Sequence, residues 1–213
     1  MTTIYLLRHS RAFRDLLGDY NVSEEEQIRN EKNPLSGLGE TLAMKMSENE
    51  ELQDIDVLYS SHYVRAMSTA KYIAENNKIK LNVDERLGER KFGVKDMSDL
   101  PETFFEDQQT DWNYKIGDGE SLNEVFERMN DFMSEVLEKN KNKRIVIVSH
   151  GTALSTMLKR WCDIKLNKEE KHIEIYFNNK LAFDGNWFAP ELFKLEIDNN
   201  DLISIENIKY IQR

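Results

Sequence analysis

Two histidines, two arginines and a glutamate stand out because each follows closely on a strand-like run. Arg8 and His9 come after Ile4 to Leu7, Arg65 just after Ser60, Glu89 just after Asp84, and His150 after Arg144 to Ser149. An unprotonated imidazole can act as a nucleophile, and a guanidinium presents a rigid fork of donors to an oxyanion. A carboxyl can lend a proton to a departing oxygen. Each fragment alone is common by chance, and a lone histidine more often supports structure than catalyses. Glu89 and its neighbour Glu85 both sit in the charged run 84–91, where either could be a solvated carboxylate. Their joint position carries more. Strands running parallel bring all their carboxyl ends to one edge, the edge where open α/β sheets bind ligands, so residues from 8 to 150 can share one pocket.

The intervening pattern supplies such strands and the helices between them. Ile4 to Leu7 reads as a short strand buried on both faces. Pro34, Leu35 and Ser36 open a helix with Leu38, Leu42 and Met46 on one face, while residues 11–33 read as a solvated connection or weak helix. Residues 54–60 form the second strand, followed by a helix carrying Val64, Met67, Lys71 and Ala74 at helical spacing. Ile79, Leu81 and Val83 alternate with polar residues, as a third strand with one more exposed face would. Ser121 and Glu124 fit a capping box ahead of a stripe from Leu122 to Leu137. The β-branched run 144–149 suits a central parallel strand, and a helix follows through Leu154, Leu158 and Trp161. Segments 172–183 and 192–205 each read as a hairpin added at the sheet edge.

Residues 93–119 have no clean period. They hold Pro101, Phe104, Phe105, Trp112 and Tyr114, and read equally as a small cap or lid and as aromatics packed on the core. The expected class is α/β: one domain over residues 1–213, a three-layer sandwich with helices on both faces of a mostly parallel sheet.

Composition narrows the partners. A net charge of −10 opposes nucleic acid and anionic membrane surfaces, yet a small phosphorylated substrate can be held where a few arginines converge. The single cysteine, Cys162, permits no internal disulfide or thiolate cluster, and the four histidines lack the spacing of a metal site. No Walker-type loop occurs. The apolar run near the N-terminus is too short for a signal peptide or membrane span, so a cytoplasmic protein is expected.

In order along the chain, the motifs resemble those of the histidine phosphatase, or phosphoglycerate mutase-like, superfamily. LLRHS at 6–10 is similar to its strand-ending Leu-Arg-His-Gly, and SSHYVRAMSTA at 60–70 to its Ser-x-x-x-Arg-Ala-x-x-Thr-Ala. LGERKFG at 87–93 resembles the acid-bearing Leu-x-Glu segment, GES at 119–121 its Gly-Glu-Ser, and VSHG at 148–151 the second histidine motif. The resemblance implies His9 as nucleophile, Glu89 as proton donor, and Arg8, Arg65 and His150 as a phosphate-binding shell, without metal or cofactor. His9 then needs a hydrogen bond on its other ring nitrogen, for which a nearby backbone carbonyl suffices. His150 would donate to phosphate if protonated.

Two departures affect the phosphate side. Ser10 stands where glycine is commoner, as a phosphate donor or only a cap of the turn, and Arg11 and Arg14 follow as exposed arginines or contacts for an acidic substrate. The activity implied is hydrolysis of a small phosphate monoester through phosphohistidine. A mutase that redelivers the phosphate and a catalytically silent binding module are the alternatives. The short stretch 90–118 between acid and Gly-Glu-Ser favours hydrolysis, since the mutases usually carry a longer insertion there. His62 and His172 have no motif support.

Overall fold

The structure is a computed structural model that describes residues 1–13, 25–167 and 172–208. β1 (Thr2–Arg8) leads through α1 (Glu26–Lys32) and α2 (Gly37–Ser47) to β2 (Val57–Ser60), α3 (Val64–Asn77) and β3 (Leu81–Val83). α4 (Phe104–Thr110) and α5 (Leu122–Lys139) precede β4 (Arg144–Ser149) and α6 (Gly151–Leu158). The remainder is β5 (Asp163–Asn167), β6 (His172–Phe177), β7 (Lys180–Phe183), β8 (Glu191–Asp198) and β9 (Asp201–Ile208). The central sheet has the order β3-β2-β4-β1-β8-β9. Its first four strands are parallel and the β8–β9 hairpin adds antiparallel to β1.

Alternation along the central strands sends side chains to two cores. Ile4, Leu6, Ile145 and Ile147 pack with α5 and α6. Tyr5, Leu7, Val146 and Val148 pack with Met46 of α2 and with Ala66, Ala70 and Ile73 of α3. This is the expected three-layer arrangement, and burying each large apolar side chain contributes about 1.5–3 kcal/mol. The capping box of α5 forms as expected: the Glu124 amide donates to Ser121 Oγ at 3.1 Å, and the Ser121 amide to Glu124 Oε2 at 2.8 Å.

Register explains the shared edge. Arg8 lies opposite Ser149, Ser60 opposite Val148, and Val83 opposite Ser60. The ladder runs one step further, with the amides of His9 and Ser61 donating to Ser149 and Val148 carbonyls at 2.9 Å. Residues immediately after β1, β2 and β4 therefore emerge side by side.

Several local expectations shift. α2 buries Gly39, Ala43, Met46 and Ser47 and leaves Leu38 exposed, and α3 buries Arg65, Ala66, Thr69, Ala70 and Ile73. Met46 of the expected α2 stripe is buried, and the rest of each buried face is made of small or motif residues, which carry little hydrophobic signal. α6 stops at Leu158, short of Trp161, and an unforeseen strand, β5, begins at Asp163. The 172–183 hairpin forms as β6 and β7 but joins β5 in a separate three-stranded sheet rather than the central edge. α1 is a short helix that buries no residue, as the charged 11–33 stretch suggested. Residues 14–24, and Arg14 with them, lie outside the described residues.

Segment 93–119 leaves and returns through a tight neck. A Cβ on Gly93, whose φ is +74°, would come within 1.9 Å of the Ile116 carbonyl oxygen, so only glycine fits there. Buried Arg90 pins the segment, stacking 4.9 Å from the Phe104 ring and donating to the Glu120 and Tyr114 carbonyls. Phe104 is thus packed inward, while Phe105 remains 54% exposed.

Candidate active site

His9 is buried at the end of β1 and its tautomer is set by its neighbours. Nδ1 lies 2.7 Å from the Ser10 carbonyl oxygen, which can only accept. Nε2 lies 3.0 Å from Arg65 Nε, which can only donate. The proton therefore resides on Nδ1 and the lone pair on Nε2. The expected orienting carbonyl is that of Ser10.

The same logic fixes His150. Arg65 Nη2 reaches His150 Nδ1 at 3.1 Å, so Nδ1 accepts, and Nε2 must donate to Ser61 Oγ at 2.8 Å. His150 is then neutral in this arrangement and lacks the second ring proton on which donation to phosphate was conditional. Burial, foremost, holds its pKa well below the usual imidazole range, and the charges of Arg65, His9, Arg8 and His62 act in the same direction. The rings of His9 and His150 meet edge to face, with centroids 5.0 Å apart. Arg65 also donates to the Asn30 carbonyl of α1 and stacks 4.9 Å from the Tyr63 ring. One guanidinium thus spans both imidazoles.

Arg8 and Glu89 flank this pair. Arg8 Nη1 donates to the carbonyls of Trp187 and Phe188 at 2.9 and 3.1 Å, which holds its charge beside the histidines. Glu89 Oε1 accepts from the Ala153 and Arg90 amides at 3.0 Å, and Oε2 from the Thr152 amide at 3.3 Å. The first turn of α6 thus grips the carboxyl directly behind His150. Glu85, the rival on sequence, is exposed in the 3-10 turn Glu85–Leu87 and makes no comparable contact among the described residues.

Ser10 is placed differently. Its hydroxyl donates to the Gly39 carbonyl at 2.7 Å and its amide to Thr69 Oγ1 at 2.9 Å, so the side chain ties β1 to α2 rather than offering its proton to a phosphate. Arg11 is exposed, with its carbonyl accepting from the Ser36 amide at 3.0 Å. His62 stands outside the pair, 3.7 Å from Glu31, and the side chain of His172 lies outside the description.

Residues 4–184 match the family model of the histidine phosphatase superfamily, branch 1. The chain belongs to that superfamily. Phosphoglycerate mutase-like protein 4 of Arabidopsis thaliana is 30% identical over 84% of the chain and 79% of its own length. The probable phosphoglycerate mutase GpmB of Citrobacter koseri is 29% identical over 74% of each. A mycobacterial glucosyl-3-phosphoglycerate phosphatase, solved with VO3, superposes with a TM-score of 0.67 at 21% identity, covering 98% of both chains, which is a likeness of fold.

In this superfamily member several supporting residues carried no signal of their own role. Arg128 of α5 donates to the carbonyls of Arg86, Gly88 and Glu89 and pairs with Glu120 at 2.7 Å, so the Gly-Glu-Ser motif acts by steadying the loop that carries Glu89. Tyr63 lies 4.6 Å from the His150 ring and its hydroxyl donates to the Glu89 carbonyl at 3.4 Å. Gln27 donates to that hydroxyl at 2.7 Å. Ser61, Tyr63 and Thr69 were inside a recognised motif, but Trp187 and Asn30 lie outside every one. Among the described residues no helix is long and apolar enough to cross a membrane, and no cluster of three His, Cys, Asp or Glu side chains is placed to hold a metal.

Proposed function

We propose that the chain is a phosphatase that hydrolyses a small phosphate monoester in two displacements, without a metal, through a phosphohistidine on His9. The supporting observation is the aimed lone pair: His9 Nε2 is unprotonated and faces the guanidinium that also contacts His150. A phosphoryl oxygen arriving there takes over the Arg65 N–H, which frees Nε2 for in-line attack. The N–P bond forms as the P–O ester bond breaks, and Glu89 gives its proton to the leaving oxygen. Water then attacks phosphorus, Glu89 accepts its proton, the P–N bond breaks, and inorganic phosphate leaves with His9 restored. Arg65 and Arg8 neutralise the charge that builds on the phosphoryl oxygens.

Transfer of the phosphoryl group to a second hydroxyl, as in a phosphoglycerate mutase, is the other reading, favoured by the names of the curated relatives. The two separate in one assay. With p-nitrophenyl phosphate in excess chelator, the phosphatase releases inorganic phosphate in every turnover and His9→Ala abolishes it. Rapid interconversion of phosphoglycerates with negligible release would rule it out.

A further inference from the structure

Beside the first turn of α6, whose amides hold the Glu89 carboxyl, lies a cavity of about 180 Å³ between α4, α6 and β6. We infer that it seats the alcohol half of the ester, and that this alcohol is uncharged and largely apolar; the inference rests on the phosphatase reading above.

Position comes first. Thr152, whose amide holds the Glu89 carboxyl, lines the cavity, and so does Gly151, the residue after His150. Trp187 lines it too, and its carbonyl holds Arg8. The leaving oxygen must come within hydrogen-bond reach of the acid, so the atoms bonded to it run past Thr152 into this space.

Size and polarity then select the occupant. A cavity of roughly 150 Å³ suffices for benzene, so this one, which opens to solvent past the 54% exposed Phe105, has room for a ring. Phe105, Trp112, Ile164 and Ile173 form apolar walls, and no acidic or basic side chain lines the space among the described residues. Lys159 places its ammonium 3.7 Å from the Trp112 ring centroid without lining the cavity. A carboxylate on the leaving group would lose its hydration there with no counter-ion.

The polar groups of the wall are already engaged or closed off. Ser155 Oγ accepts from Trp187 Nε1 at 3.0 Å, and Gln108 of α4, 5% exposed, turns its Oε1 away from any accessible surface. The larger cavity near α1, about 420 Å³, is lined by Glu25, Glu26, Lys91, Lys95 and Asp118. It would suit a charged leaving group and adjoins the Arg90 amide through Lys91, but two of the three amides on the Glu89 carboxyl come from α6, on the neutral side.

Two esters with the same benzylic leaving oxygen isolate recognition from reactivity: benzyl and para-carboxybenzyl phosphate, with p-nitrophenyl phosphate as the control for the reaction. In the wild-type protein kcat/KM for the carboxy ester is expected at least about tenfold below benzyl. Equal turnover of the two, preference for the carboxy ester, or turnover of p-nitrophenyl phosphate but of neither benzylic ester overturns the cavity assignment while the phosphatase stands. Hydrolysis of none of the three overturns the reaction itself.

Discussion

Around the phosphate position, His9, Arg65 and His150 are buried and held by hydrogen bonds from neighbours that are fixed in turn. Across Glu89, the cavity wall carries a half-exposed Phe105 and a Gln108 oxygen that no described group engages. The two regions answer different demands. Stabilising charge that develops on a transferring phosphoryl group requires dipoles and cations oriented before the reaction starts, since reorienting them would add to the barrier. Sorting one alcohol from another requires only shape and one or two polar contacts. The first demand ties together residues from four strand ends and two helices; the second leaves residues free to vary.

That contrast can be broken by substitutions on either side of it. Arg65→Lys keeps the charge but loses the fork that spans both imidazoles, and kcat should fall on the order of 10²–10³-fold for every ester alike. A fall confined to some esters would mean that the phosphate cluster also reads the leaving group. Glu89→Gln sits on the boundary: hydrolysis of benzyl phosphate should drop about 10²-fold, whereas p-nitrophenyl phosphate, with its good leaving group, should change little in the cleavage step. Equal losses in that step would assign the proton to another donor.

How much of this was legible follows the same division. The strand ends, the α5 stripe and its capping box were readable because periodicity and local hydrogen bonding determine them directly. The five residues of the cluster were legible through motifs that resemble the superfamily's, since chemistry alone did not tell Glu89 from Glu85, and register sets the ends of β1, β2 and β4 side by side. Ser10 was left open between phosphate donor and turn cap because only the fold shows the Gly39 carbonyl taking its proton. The buried faces of α2 and α3 were read only in part, Met46 among them, because small residues such as Gly39, Ala43, Ala66 and Ala70 carry little hydrophobic signal. The cavity was illegible for a different reason: it joins α4, α6, β6 and the Trp187 loop, pieces related only by tertiary packing.

The smallest expected change is one of slope. His150 is held neutral in the fold, with a pKa below that of the unfolded chain, so the unfolded state takes up its proton first as pH falls. Its contribution to stability is full above the unfolded value of about 6.5 and is lost progressively below it. Urea midpoints followed from pH 8 to pH 5 should therefore decline less steeply in His150→Gln than in the wild type. Parallel curves would show that the buried imidazole does not couple folding to pH.

Rapid acid-free quenching during turnover of a ³²P-labelled ester, followed by alkaline peptide mapping, tests the central claim most directly. The account predicts base-stable, acid-labile label on Nε2 of His9, forming and decaying at rates that support turnover. Label on another residue, or hydrolysis with no labelled protein at any time point, would contradict it.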